Sequence, residues 1–289
     1  MVGIKRSKHW MTPMLIIITV AAVIPIFLLI YLSLHRWELG YPWSERVFIG
    51  LRNYKWFFTS TQELRSLSVT FKFVFWAVLT EVFLAVLISS FLYKNPIGKK
   101  YVVFSMVIPI AMTPAVNAFL WRLYFTPSHG IINWILNTLF GATPNWFGTE
   151  LAFVMLVLVD IWRWVPFLSL ILLAGLEAIP PEPLEASYAE GATWGQTLLY
   201  VVVPMLKPII TVGIILRMID AFKLFDLVFP LTAGGPGDLT EVLSMHIYRY
   251  GFFDIGRIGR ASAMAVVLLV IVIALTAVYV RYTQRKEEV

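Results

Sequence analysis

The sequence contains no cysteine, which excludes disulfides, thiolate metal sites and a cysteine nucleophile. Its four histidines, His9, His35, His129 and His246, are scattered, and no two stand at metal-ligand spacing. Charge is scarce: only 14% of the 289 residues are Asp, Glu, Lys or Arg, too few to cover a soluble domain of this length. A phosphate-binding loop is also missing. The only Gly-Lys pair, Gly98-Lys99, has Tyr93 where that loop needs glycine and Lys100 where it needs Ser or Thr. No repeat of roughly 20 to 50 residues is visible. These absences leave no metal centre, no ATP site and no catalytic constellation.

What the chain has instead is apolar bulk. Hydrophobic residues make up 59%, with eleven tryptophans and twelve tyrosines to serve as interfacial anchors. A net charge of +6 would suggest nucleic acid in a soluble protein. Here the basic residues gather at the ends of apolar runs, which fits loop retention on the cytoplasmic side of a bilayer and gives no reason to expect nucleic acid.

A helix needs about 20 mostly apolar residues to span the hydrocarbon core. Six segments qualify, about residues 12–34, 69–93, 101–124, 151–176, 205–231 and 261–280. The expectation is an all-α membrane protein with six transmembrane helices. It has a cytoplasmic N-terminal segment (1–11) and a single transmembrane domain (12–289). The first apolar run is too long for a leader's core and no small-residue cleavage site follows it, so it is read as a retained helix. Lys5, Arg6 and Lys8, then Lys94, Lys99 and Lys100, then Arg281, Arg285 and Lys286 put both termini in the cytoplasm, in a multi-pass arrangement. The loop 126–150 has no Lys or Arg and belongs outside. Within it, 130–141 has apolar residues at helical spacing. This is either an interfacial helix or a segment packed against helix ends.

One cytoplasmic segment stands out, "IPPEPLEASYAEGATWGQTLLYVVVP", about residues 180–204. Four glutamates gather near it: Glu177, Glu182, Glu185 and Glu190. Adjacent prolines stop the preceding helix, and Pro181 or Pro183 suits the first turn of a new one. About two turns of helix follow, ended by Gly191, and a second helix starts at "ATWGQ" and runs until Pro204 interrupts it. The result is an elbow presenting small residues and carboxylates. It is either a docking surface for a basic partner or a solvated acidic loop.

This stretch resembles the EAA loop of permease subunits of binding-protein-dependent ABC importers. Glu185, Ala186 and Gly191 match the family's glutamate, first alanine and glycine. Pro204 and Pro208 fall on its trailing prolines. Ser187 replaces the second alanine, and Glu190 stands where aspartate is usual. "FDLVFPLTAGGPGDLT" is similar to the signature of the carbohydrate-uptake branch, the maltose and glycerol-3-phosphate type, on Thr232, Gly234, Gly235 and Pro236. "DIWRWVPF" and "IPIAMTPAVNAFLWRL" resemble the same branch.

The resemblance implies a type I importer permease fold in a bacterial inner membrane, with cytoplasmic coupling helices carrying Glu185, Ala186, Ser187, Glu190, Gly191 and Ala192. The implied partners are a second permease subunit, an ATP-binding cassette ATPase dimer that holds ATP and magnesium, and an extracytoplasmic solute-binding protein. The chain itself would bind no cofactor and catalyse nothing. Its work would be to form half of a path for a sugar, polyol or glycerol-type solute.

Charges within spans need a reason, because each costs roughly 2.5–3.5 kcal/mol to insert. Arg217, Asp220, Lys223 and Asp226 recur every third residue with alternating sign, a slanting stripe on one helix. They either line a polar path or neutralise one another and fix packing against the partner permease. Asp160 and Arg163, flanked by Trp162 and Trp164, present the same choice. With Asn117 and Trp121 they form the candidate solute path. Lys72 is expected to snorkel to the interface, and Glu81 has no explanation in the sequence. The rival functions are an ion-coupled secondary transporter, which commonly shows an inverted repeat, and a membrane-embedded glycosyltransferase, which needs a carboxylate-rich outer loop.

Overall fold

The computed structural model describes residues 4–95, 97–253 and 256–285. Lys286, one of the basic residues marking the C-terminal end, and residues 1–3 lie outside them. In chain order the helices are α1 (Ile4–Ser33), α2 (Arg52–Thr59), α3 (Thr61–Lys94), α4 (Lys99–Ala111), α5 (Pro114–Phe125), α6 (Ile131–Phe140) and α7 (Ala152–Glu177). They continue with α8 (Pro181–Ala189), α9 (Trp194–Thr197), α10 (Val203–Phe222), α11 (Val228–Leu231), α12 (Leu243–Tyr248) and α13 (Ile258–Arg285). Five helices are long and apolar enough to cross a membrane, or six if a bent pair counts as one span. The chain divides into two compact units, Met1–Leu64 with His246–Ile271, and Arg65–Met245 with Val272–Val289.

In the first unit α1 leads into a small antiparallel hairpin, β1 (His35–Arg36) and β2 (Val47–Phe48), with His35 opposite Phe48 and Arg36 opposite Val47. The buried Asn53 of α2 seals the end of α1. Its Nδ2 donates at 2.8 Å to the carbonyl of Ser33, an acceptor that the helix end leaves without a partner, and at 3.0 Å to that of His35 in β1. The start of α13 closes on the hairpin backbone to backbone. A Cβ at Gly259 would lie 2.0 Å from the His35 carbonyl oxygen, so only glycine fits there.

In the second unit α7 is central, packing against α4, α5 and α10, and it is the most enclosed of the spans. Three features differ from the sequence expectation. The span expected over 101–124 is two helices, α4 and α5, bent by 103°. Pro114 disfavours helical geometry for the residue before it, and Thr113 accordingly takes φ −68°, ψ 149° and caps α5.

The span expected over 205–231 starts earlier and ends at Phe222. Pro204 does not interrupt it, because a π-helical turn at Leu198–Val202 carries the chain through: the Val203 N–H bonds to the Leu198 carbonyl, five residues back. One apolar span therefore runs Trp194–Phe222, and Lys223 and Asp226 fall beyond it, exposed. The four-charge stripe is thus only two charges long on its helix. In the third difference, the segment at 130–141 is helical as α6 but splits its apolar residues, with Ile131, Ile135 and Leu139 exposed. An outward apolar face suits the interfacial reading better than packing on helix ends.

Candidate functional site

The elbow is built from local signals. Pro181 opens α8, where its missing N–H leaves no bond unmade, and Glu182 sits in the first turn, where the helix dipole favours an acid. Gly191 ends the helix at φ +83°, with nothing within 4 Å of where a Cβ would stand. The glycine is there for its conformation rather than for space. Thr193 starts α9, its N–H and hydroxyl both directed at Gln196 Oε1 at 2.8 Å.

Two contacts make the elbow rigid. Leu184 is buried in a cluster with Leu176, Val202 and Leu206, which fastens α8 to the ends of α7 and α10. Ser187 is also buried. Its hydroxyl donates to the Leu184 carbonyl at 2.7 Å and lies 3.0 Å from the hydroxyl of Thr197, so it links α8 to α9. The sequence reading placed Ser187 among small residues facing outward, whereas the structure turns it inward. Glu185, Ala186, Glu190 and Gly191 are exposed, Ala192 is half-buried, and Tyr188, which the sequence reading passed over, is 49% exposed on the same segment. Glu177 does not join this acidic face, because it forms an ion pair with Lys99 at the start of α4.

Deeper in the second unit, five charged side chains from three helices meet. Arg217 of α10 is fully buried and is bound by Glu81 of α3 and Asp160 of α7. Its Nη1 lies 3.5 Å from Asp220 Oδ2. Arg163 Nη2 donates to Asp160 Oδ1 at 3.1 Å and to Asp220 Oδ2 at 3.2 Å. Arg217, Asp160, Arg163 and Asp220 therefore close a ring of alternating sign, with Glu81 as its appendage. Trp164 covers it, its ring centre 5.1 Å from the Arg163 guanidinium carbon and 5.0 Å from that of Arg217. These charges are thus paired with one another within one chain, three carboxylates to two guanidiniums, and Glu81 acquires its reason.

The ring is dry at one corner and open at the other. Arg217, Glu81 and Asp160 side chains have no exposure, Arg163 has 14% and Asp220 37%. Beside the open corner lies a cavity of about 140 Å³ lined by Arg163, Trp164, Phe167, Ile110 and Met112, where the α4–α5 bend falls. Asp160 itself is committed, with both oxygens taken by guanidinium groups.

Trp162 points elsewhere, meeting Trp121 edge-on at 5.7 Å, and Trp121 stacks on Phe125 at 5.4 Å. Asn117 is buried against α7, its Nδ2 3.5 Å from the Val159 carbonyl. The six proposed path residues thus form two groups, and Phe167 belongs with the first. A lone carboxylate in an apolar span was the available signal for Glu81, since it calls for a cation on another span.

The glycine-glycine-proline signature residues form a tight turn after α11. Thr232 Oγ1 lies 2.7 Å from Thr240 Oγ1 and accepts from the Gly234 N–H at 3.4 Å, while the Gly235–Pro236 bond is cis. Arg122 of α5 donates to the Pro230 carbonyl at 3.0 Å and anchors the turn's approach.

The model of one family, the binding-protein-dependent transport system inner membrane component, matches residues 1–288. The chain belongs to that family. It is a permease subunit of an ABC importer, a multi-pass membrane transport component, and neither the ion-coupled transporter nor the glycosyltransferase reading finds support. This permease is 35% identical to the trehalose/maltose transport system permease protein MalF of Thermococcus litoralis, over 93% of this chain and 90% of that protein. It is 31% identical to the sn-glycerol-3-phosphate transport system permease protein UgpA of Agrobacterium fabrum, over 83% and 82% of the two chains.

Its fold matches a chain in the crystal structure of a bacterial ABC transporter involved in import of the acidic polysaccharide alginate. The TM-score is 0.84 over 98% of this chain and 97% of that one, at 21% identity. The fold is the type I importer permease fold.

Proposed function

We propose that this permease forms half of the solute path of a sugar-type ABC importer and that its α8–α9 elbow seats in a separate ATPase subunit. The observation that carries the reading is the elbow itself. It is braced inward by Leu184 and Ser187, and its exposed face consists of Glu185, Ala186, Glu190 and Gly191. A merely solvated loop has no need of such bracing. ATP and magnesium belong to the ATPase dimer, and this chain binds neither. A second permease completes the path, and an extracytoplasmic binding protein delivers solute at the outer face, near Thr232, Gly234, Gly235 and Pro236. Both termini lie in the cytoplasm, by the basic residues at the inner ends of the spans.

The solute is a sugar, polyol or glycerol derivative, a reading supported by relatives named for trehalose, maltose and sn-glycerol-3-phosphate. The open corner of the charge ring is the contact. Arg163 Nε and Trp164 Nε1 are buried beside it with no hydrogen-bond partner among the described residues, so a hydroxyl oxygen would find unused donors there once the side chains part to admit it. Trp164 and Phe167 offer rings on which apolar sugar faces pack. Asp160 holds Arg163 in position, while Trp162, Trp121 and Asn117 line the second group of path residues. Co-purification of the tagged chain from its native membrane, with mass spectrometry, tests the assembly. A second permease, an ATPase and a binding protein are expected to accompany it, and a chain that transports alone without ATP overturns the reading.

A further inference from the structure

The first unit contains a feature that solute transport does not use. A cavity of about 370 Å³ is lined by four arginines, Arg36, Arg52, Arg257 and Arg260, and by one carboxylate, Glu38. Arg257 has a loose contact with Glu38 at 3.6 Å, and Arg260 donates to the Tyr250 hydroxyl at 2.8 Å with its guanidinium over Trp56. Among the described residues the Arg36 and Arg52 side chains have no hydrogen bond or ion pair. Four guanidinium groups against the one carboxylate of Glu38 leave an excess of positive charge that a further anion offsets, and a planar guanidinium fork suits phosphate oxygens.

The place sharpens the question. The apolar stretch of α1 ends at Ser33, three residues before Arg36, and that of α13 begins at Ile258, next to Arg257. The cavity therefore lies at headgroup depth, surrounded by exposed Leu39, Trp43, Phe48 and Leu51. With the N-terminus cytoplasmic, as in the orientation proposed above, this is the outer surface, where arginine is normally sparse.

A second cavity of about 290 Å³ adjoins the first, sharing Arg36, Trp37 and Glu38, and adds Tyr41 and Glu45. The first compartment sets four guanidinium groups against one carboxylate, and the second sets two carboxylates against one guanidinium beside aromatic rings. That polarity matches a group with a phosphate at one end and an amine at the other.

We propose that these joined cavities hold the headgroup of an outer-leaflet phospholipid of the ethanolamine type. Its phosphate lies among Arg36, Arg52, Arg257 and Arg260, and its ammonium lies between Glu45 and Tyr41. Free phosphate shares half of this chemistry, and the experiment separates the two sources.

The test is native mass spectrometry of the intact transporter in delipidating detergent. Phosphatidylethanolamine is titrated against phosphatidylglycerol, which has the phosphate without the amine, and against millimolar inorganic phosphate. One phosphatidylethanolamine is expected to stay bound per chain and to resist inorganic phosphate. Arg36→Gln with Arg52→Gln is expected to weaken its retention about tenfold or more, since each basic residue near the surface contributes about 1 kcal/mol. Glu45→Gln is expected to shift preference towards phosphatidylglycerol, and it carries the test alone should the double variant fold poorly.

Unchanged retention in both variants overturns the site, and displacement by inorganic phosphate overturns the lipid as its ligand. A double variant that keeps its lipid but no longer captures the binding protein assigns the surface to that protein instead. The assay needs neither ATP nor uptake, so its failure leaves the importer reading standing.

Discussion

Arg217 and Glu81 stand 136 residues apart in the chain and form an ion pair with neither side chain exposed. The pair sits in a group of three carboxylates and two guanidiniums, which makes its two members unequal. Arg217→Gln leaves Glu81 and Asp160 buried together with Arg163 alone to offset them, and is expected to cost about 3–5 kcal/mol. Glu81→Gln leaves two acids against two bases and is expected to cost about 1 kcal/mol. Thermal unfolding of both variants in detergent decides the matter, and equal losses would show that the ring does not act by charge balance.

Reversing the charge at the proposed dock separates insertion from coupling. Glu185→Lys is expected to reach the membrane in normal amount and to assemble with the second permease. Because the side chain is exposed, its folding cost is small. ATP-driven uptake should nevertheless fall to background. Normal uptake by this variant would remove the elbow's assigned role.

Gly191 offers a purely conformational test. Its surroundings are empty, so Gly191→Ala costs only the left-handed backbone, about 1–2 kcal/mol, and Gly191→Asn costs less. Hydrogen exchange over residues 184–198 should rise in the order Gly, Asn, Ala, with coupling falling in parallel. Exchange that is the same in all three would mean that another contact sets the elbow's angle.

Phe167 lines the cavity beside the ring but makes no ion pair. Phe167→Leu keeps most of the volume and removes the aromatic face, worth roughly 0.5–1.5 kcal/mol, or about 2- to 10-fold in half-saturating solute. The expected signature is weaker apparent affinity with an unchanged unfolding temperature. Unaltered uptake kinetics would take this cavity off the path.

The sequence carried the elbow well because its signals are local: Pro181 can only open a helix, and Gly191 readily ends one. Long-range facts were another matter. No period links Glu81 to Arg217, and the inward turn of Ser187 depends on which side of a two-turn helix meets Leu206. Pro204 was misleading in an instructive way. A proline removes one donor, yet a single widened turn absorbs the loss and the span continues. At Pro114 the sequence pointed to an interrupted helix, and what it did not give was the size of the break, a bend of 103°. The candidate path was legible as a set of residue types, but not as two groups facing different ways.

The unbroken course of α9, the π-helical turn and α10 has a mechanical consequence. Trp194 and Arg217 lie on one rod about 35 Å apart at 1.5 Å per residue. The far end of the rod is pinned, because sliding it by even one residue would strand buried charges on α3 and α7. A force applied at the elbow therefore cannot be spent in shear between these helices. On the docking proposed above, it would turn them together about the pin, with the elbow as the handle of a lever.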